Sequence, residues 1–358
     1  MGAYILRRLL LIIPTMIGIM VINFALTQFV PGGPIEQIAA RLQGEGDVFR
    51  NIAGAGDSAA GAAAGEYAGA RGLPPEFVAQ LEKEFGFDKP PLQRFLSMMG
   101  DYLTFDFGQS WFRSISVIDL VKEKMPVSIT LGLWTTLLAY LISIPLGIRK
   151  AVRDGTPCDT WTSGIIIVGY AIPSFLFAVL LIVLFAGGSY WRIFPLRGLV
   201  SDGWEDLGLI AKIADYFWHI TLPVIASTIA SFATLTLLTK NSFLDEINKQ
   251  YVMTARAKGL TERRVLYGHV FRNAMLIVIA GFPGLLLAVL FGGGLLIEVI
   301  FSLDGLGRMG YEAVLQRDYP VVFGTLYTFG LMGLVVGILS DLTYMLVDPR
   351  FDFGSRDG

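Results

Sequence analysis

The chain is poor in the side chains that usually carry chemistry. It has one cysteine, Cys158, and two histidines, His219 and His269, among 358 residues. A single cysteine excludes an internal disulfide and any cysteine-built metal cluster. Two histidines so far apart speak against a histidine-built metal site. Charged residues make up only 16%, against about 25% in soluble domains. The net charge of −2 is small and scattered, which gives no basic face for a nucleic acid. No G-x-x-x-x-G-K-[ST] string occurs, so the chain is not expected to bind ATP itself. What it has in excess is apolar residues, 54%, with a mean hydropathy of +0.60. Composition speaks for lipid and is silent about chemistry.

A helix crosses a bilayer with about 20 apolar residues, and six segments reach that length. They are Leu9–Val30, Ile129–Ile148, Gly164–Ala186, Ile220–Leu238, Met275–Ile297 and Val322–Val347. The expected fold is all-α, a single six-span membrane domain over residues 1–358. Five spans contain proline, at Pro14, Pro145, Pro173, Pro223 and Pro283. A bundle tolerates this because neighbouring helices satisfy the freed carbonyls. Basic residues set the orientation. With the N-terminus inside, the inner segments collect Arg7, Arg8, Arg149, Lys150, Arg153 and the basic run from Lys240 to Arg272. The short outer loops hold only Arg192, Arg197, Lys212, Arg308 and Arg317. Both termini are therefore expected in the cytoplasm. Arg7 and Arg8 before an apolar stretch also suit a signal peptide, but the stretch is too long and lacks a small-x-small site, so it reads as an uncleaved span.

The outer loop 31–126 contains a Gly/Ala-rich insertion, Gly44–Gly72, without hydrophobic period. Behind it Pro74-Pro75-Glu76 opens a short amphipathic helix ending at Gly86. Leu92, Phe95, Leu96, Met99 and Leu103 predict a second, and Ser116-x-x-Asp119 is a capping box that predicts a third. The inner loop 239–274 is better ordered. Lys249–Lys258 predicts a short helix, with small Ala255 and Ala257 admitting another surface. Gly259 takes the left-handed position after its end, with Leu260 as the hydrophobic contact. Thr261 offers an N-cap to a following helix, and Glu262 suits the positive end of that helix.

That loop, Tyr251-Val252-x-Thr254-Ala255-Arg256-Ala257-Lys258-Gly259-Leu260 with His269-x-x-Arg272-Asn273 behind it, resembles the EAA-type coupling loop of binding-protein-dependent ABC importers, in the form used by peptide and nickel permeases. The general Glu-Ala-Ala-x-x-x-Gly pattern falls on Met253, Thr254, Ala255 and Gly259, so the glutamate and the first alanine are absent. The resemblance runs along almost the whole chain. It takes in Ile5–Thr15 with Pro31-Gly32-Gly33-Pro34, Phe85–Pro90, Ile172-Pro173-Ser174-Phe175, and Glu298-x-x-Phe301-Ser302-x-x-Gly305-Leu306-Gly307. Arg317-Asp318-Tyr319-Pro320, Asp341-Leu342-x-Tyr344 and Asp348-Pro349-Arg350 complete the series. Within the family, Pro31–Gln37 and the enlarged insertion are most similar to the Yej-type branch, which imports peptides and the antibiotic microcin C.

The resemblance implies a type I ABC importer permease in the bacterial inner membrane. Its partners would be a second homologous permease, two ATP-binding subunits or one fused tandem ATPase, and a periplasmic peptide-binding protein. ATP and Mg would sit on the ATPase subunits. Tyr251, Thr254, Ala255, Arg256, Ala257, Lys258, Gly259 and Leu260 would couple to them. Glu298, Asp304, Asp318 and Asp341 are candidate pore or gate residues. Two other readings compete. Gly44–Asp47 and Gly54–Asp57 are Gly-x-Gly-Asp strings like those of intramembrane aspartyl proteases, but both lie in the Gly-rich insertion and not in a span. Asp341 within a span suits an ion-coupled transporter, or simply a structural partner near the inner end.

Overall fold

A computed structural model of the protein describes residues 2–29, 33, 83, 87–187, 190–281, 284, 287 and 294–347. Among these residues the structure is helical, with one isolated antiparallel bridge between Gln109 and Ser116. The helices are α1 (Gly2–Phe29), α2 (Pro91–Leu103), α3 (Val117–Val152), α4 (Pro157–Ala171), α5 (Ser174–Phe185) and α6 (Leu209–Ile247). They continue as α7 (Gln250–Ala257), α8 (Glu262–Val265), a π-helical turn (Leu266–Val270), α9 (Phe271–Ala274), α10 (Leu276–Ala280), α11 (Leu295–Ile300), α12 (Leu306–Gln316) and α13 (Tyr319–Val347). Four stretches are long and apolar enough to cross a membrane, in α1, α3, α6 and α13, and the bent pair α4–α5 makes up to five. The insertion 44–72, most of the helix expected from Pro74 and the middle of the fifth expected span (282–283, 285–286 and 288–293) lie outside the described residues.

Two sequence expectations need correction. The third span is not one helix over Gly164–Ala186 but α4 and α5, which meet at 94°. The break falls at Pro173, which has no N–H to donate and whose ring disfavours the helical region for the preceding residue. Ile172 accordingly sits at φ −84, ψ 119. The separate third outer helix does not exist either. The Ser116 capping box is present, with the Asp119 amide donating to Ser116 Oγ at 3.1 Å and the Ser116 hydroxyl to Asp119 Oδ2 at 2.7 Å. What it starts is α3, 36 residues long and about 54 Å by helical rise. The loop helix and the second span are thus continuous.

The described residues form two compact units. The first comprises 1–8, 124–308 and 333–358; the second comprises 9–123 and 309–332. In the first, α3 and α6 approach closely. A Cβ on Gly147 would stand 2.6 Å from Thr239 Cβ, so only glycine fits that contact, as in small-residue crossings between membrane helices. Ser143 donates to the Phe232 carbonyl beside it at 3.0 Å. One apolar cluster gathers around Phe243, Val252 and Val265; another gathers around Leu131, Leu181, Ile220 and Phe301. In the second unit, Tyr102 of α2 stacks edge-on against Phe107 at 4.9 Å. Gly324 of α13 lies under Phe107 and Val117, where a Cβ would meet side chains at 2.8–3.0 Å. Of the residues that predicted α2, Leu92, Leu96 and Leu103 stay exposed and Phe95 and Met99 are half-buried, while Tyr102 is buried.

Candidate functional site

The loop between α6 and α10 is built around one turn. α7 ends at Ala257, Lys258 still has near-helical angles, and Gly259 swings to φ +79. The Gly259 amide donates to the Arg256 carbonyl at 2.9 Å and the Leu260 amide to the Ala255 carbonyl at 3.4 Å. This pair of bonds is a Schellman closure, and it requires a left-handed residue at Gly259. Leu260 packs with Ala255 into the Phe243 cluster, as the motif's hydrophobic contact demands. Across the turn Arg256 grips Glu262 with two bonds, Nε–Oε1 at 2.9 Å and Nη2–Oε2 at 3.1 Å. Being exposed, that pair stabilises the turn by no more than about 1 kcal/mol.

α7 has one face inward and one outward. Val252 and Ala255 are buried against Ile148 and Ala151 of α3 and Phe243 of α6. Tyr251 is half-buried, and its hydroxyl donates to Glu246 at 2.6 Å. Burial, and then the Glu246 carboxylate, push the Tyr251 hydroxyl above its ordinary value, so it remains a donor at neutral pH. Thr254, Arg256, Ala257, Lys258 and Gly259 face outward. Met253, which stands where the general motif has glutamate, is 63% exposed and adds an apolar contact to that surface.

Two expectations at this loop are corrected. Ala255 is buried in its own bundle and cannot admit another surface; only Ala257 is placed to do so. Thr261 occupies the N-cap position at φ −64, ψ 146, but its hydroxyl makes no capping bond. Its carbonyl accepts from the Val265 amide at 2.9 Å instead. The helix behind it is interrupted by the π turn Leu266–Val270, a local widening that apolar periodicity does not reveal.

The four acidic candidates are not one constellation. Glu298 is fully buried: its Oε1 accepts from the Ser128 hydroxyl at 2.7 Å and its Oε2 from the Arg308 amide at 2.8 Å. The Leu306 amide donates to Ser128 Oγ at 2.8 Å. The carboxylate therefore sits at the positive end of α12, where an anion is favoured. A Cβ on Gly305 would come within 2.4 Å of that carboxyl group, which explains the spacing of Glu298 from Gly305-Leu306-Gly307. Asp304 joins Glu298 in this region and pairs with Lys124 at 2.5 Å. Asp318 lies in the other unit, accepting from Ser110 at 2.5 Å and from the Trp111 amide at 3.2 Å. Asp341 pairs with Arg8. Each of the four holds a structural partner.

One cluster went unrecognised in the sequence. Lys150, Asp159 and Lys240 meet near the C-terminal ends of α3 and α6 and the N-terminal end of α4. Thr156 caps α4, with the Asp159 amide 3.5 Å from Thr156 Oγ1. The string Thr156-x-x-Asp159 was available as a signal. Both lysines, however, were explained by the charge bias of inner loops.

The sequence pattern of the family described as binding-protein-dependent transport system inner membrane component matches residues 143–353. A peptidoglycan transport system permease protein, YejB of Agrobacterium fabrum, is 64% identical over all of both chains. The inner membrane ABC transporter permease protein YejB of Escherichia coli O157:H7 is 58% identical over 99% of this chain and all of its own. The dipeptide transport system permease protein DppB of Escherichia coli K12 is 34% identical over 97% of this chain and 98% of its own.

Proposed function

Since this chain belongs to the family of binding-protein-dependent transport system inner membrane components, we propose that it is the membrane-spanning permease subunit of an ATP-driven importer of peptides. The cargoes named for its relatives, peptidoglycan and dipeptides, share amide-linked amino acids, and a peptide antibiotic such as microcin C falls in the same class. The proposed arrangement has six spans with both termini in the cytoplasm. A second homologous permease completes the pore, and a periplasmic binding protein delivers cargo. ATP and Mg belong to the two ATP-binding subunits, or to one fused tandem ATPase.

The observation that carries this reading is the Gly259 turn. A short helix is anchored by Val252 and Ala255 in the inner core, closed by a left-handed glycine, and leaves Met253, Thr254, Ala257 and Lys258 outward. Such a rigid projection suits an ATPase docking site: closure of the ATPases pushes on α7, and the buried face passes the push to α3 and α6. ATP then favours one arrangement of the bundle and its hydrolysis releases it. The pairing of Asp341 with Arg8 supports the structural reading of that carboxylate over the ion-coupled one. Uptake of a labelled tripeptide in cells lacking and regaining this chain tests the proposal. The expected result is uptake that vanadate abolishes and that survives a protonophore in glycolysing cells. Uptake that resists vanadate and collapses with the protonophore would overturn it.

A further inference from the structure

The Lys150–Asp159–Lys240 cluster is more than charge bias. Lys150 is 2% exposed, among the most buried large side chains of the protein. Its ammonium spends its three N–H groups on the Asp159 carbonyl at 2.9 Å, Thr162 Oγ1 at 2.8 Å and Ser163 Oγ at 2.7 Å, all on α4. Asp159 Oδ1 lies 2.8 Å from the same nitrogen as an ionic neighbour. Asp159 Oδ2 accepts from Lys240 of α6 at 2.7 Å and from the Gly155 amide at 3.3 Å. Lys240 also pairs with Asp154 at 2.8 Å. One carboxylate thus joins three helices at one point.

Stability alone does not account for such a junction. Apolar residues of similar volume usually hold a buried site as well as an ion pair or better. What ionic bonds add is direction: apolar faces slide past one another, whereas a lysine held by three acceptors fixes position along and around the helix. The location makes that useful. Lys150 lies between Ile148 and Ala151, and Lys240 one turn before Phe243. Ile148, Ala151 and Phe243 form the core on which α7 rests. On the far side, α4 ends at the 94° break before Pro173, so it can turn without carrying α5 rigidly with it.

We propose that Asp159 is a positioning residue for transport: it locks α4, the inner segment of the broken third span, to the block that carries α7, so that displacement of α7 moves α4 as well. This rests on α7 being the ATPase docking element. Mutations along a coupled network change coupling by about tenfold, and that is the size of effect expected here.

The test uses the full transporter with its ATPase subunits, in a Cys158→Ser background, and compares Asp159→Asn, Asp159→Glu and the double variant Asp159→Asn with Lys150→Met. The single Asn variant leaves buried Lys150 without its counter-charge, while Lys240 keeps Asp154, so assembly should fall. The double variant removes opposite charges together and should recover assembly and ATPase pull-down. Peptide import by the double variant should nevertheless stay about tenfold down while ATP hydrolysis persists, and Asp159→Glu should recover part of it. Spin labels at Trp161 and Met253, both exposed, should give one narrow distance in the wild type with or without nucleotide. In the double variant the distance should broaden. Wild-type import by the double variant, an unbroadened distance, or failure of the double variant to assemble would each reduce the cluster to a folding element and overturn the proposal. Failure of the wild-type chain to capture the ATPase would instead strike the docking reading.

Discussion

At Gly259 a Cβ would meet nothing within 4 Å, so crowding does not demand glycine there. The demand comes from φ +79, which costs a residue with a Cβ about 1–2 kcal/mol. Asparagine tolerates the left-handed region better than a β-branched residue does. Gly259→Asn should therefore retain most peptide uptake, while Gly259→Val should lose it with normal membrane insertion; equal uptake in the two variants would show that the turn's handedness does not matter. The caps behave differently from one another. Ser116→Ala should lower thermal stability by about 1 kcal/mol, because Ser116 Oγ accepts from Asp119. Thr261→Ala should change it by only a few tenths, since that hydroxyl caps nothing. A thermal-shift comparison of the two purified variants checks the contrast. The sequence marks both residues alike as caps, because it shows the residue type and not the rotamer. Ala255 and Ala257 are likewise the same letter, and only packing tells that one is buried and the other presented.

At the scale of elements, the long apolar runs were legible and their interruptions were not. Pro14, Pro126, Pro145 and Pro223 lie inside continuous helices, whereas Pro173 separates two helices by 94°. If Pro173 itself sets the bend, Pro173→Ala should relax it. Spin labels at exposed Ile165 and Leu180 should then move apart, and an unchanged distance would mean that surrounding packing fixes the angle. The inner loop was more legible, because a glycine one step past a short helix and before a leucine has few other uses. The cluster at Asp159 was hidden by position: lysines at the inner ends of spans are expected for topology, and nothing in their spacing says that two of them reach one carboxylate. The spacing of Glu298 from Gly305 also gains its reason only from the fold, where the carboxyl group fills the space a Cβ would need.

At the scale of the whole molecule, the account places the Gly259 turn inside the cell and the short loop before α6 outside. With Cys158, which is exposed, replaced by serine, a cysteine at Asp202 should label from the outside and one at Thr261 only from the inside. The opposite pattern would reverse the chain and remove α7 from the ATPases. The central claim is that the Gly259 turn couples this permease to ATP hydrolysis. The most direct test is peptide uptake into proteoliposomes holding the complete transporter, with binding protein on one side and ATP on the other, for wild type and Gly259→Val. The account predicts ATP-dependent accumulation by the wild type, and loss of accumulation in a Gly259→Val complex whose spans still insert. Accumulation by Gly259→Val at the wild-type rate, or accumulation by the wild type without ATP, would contradict it.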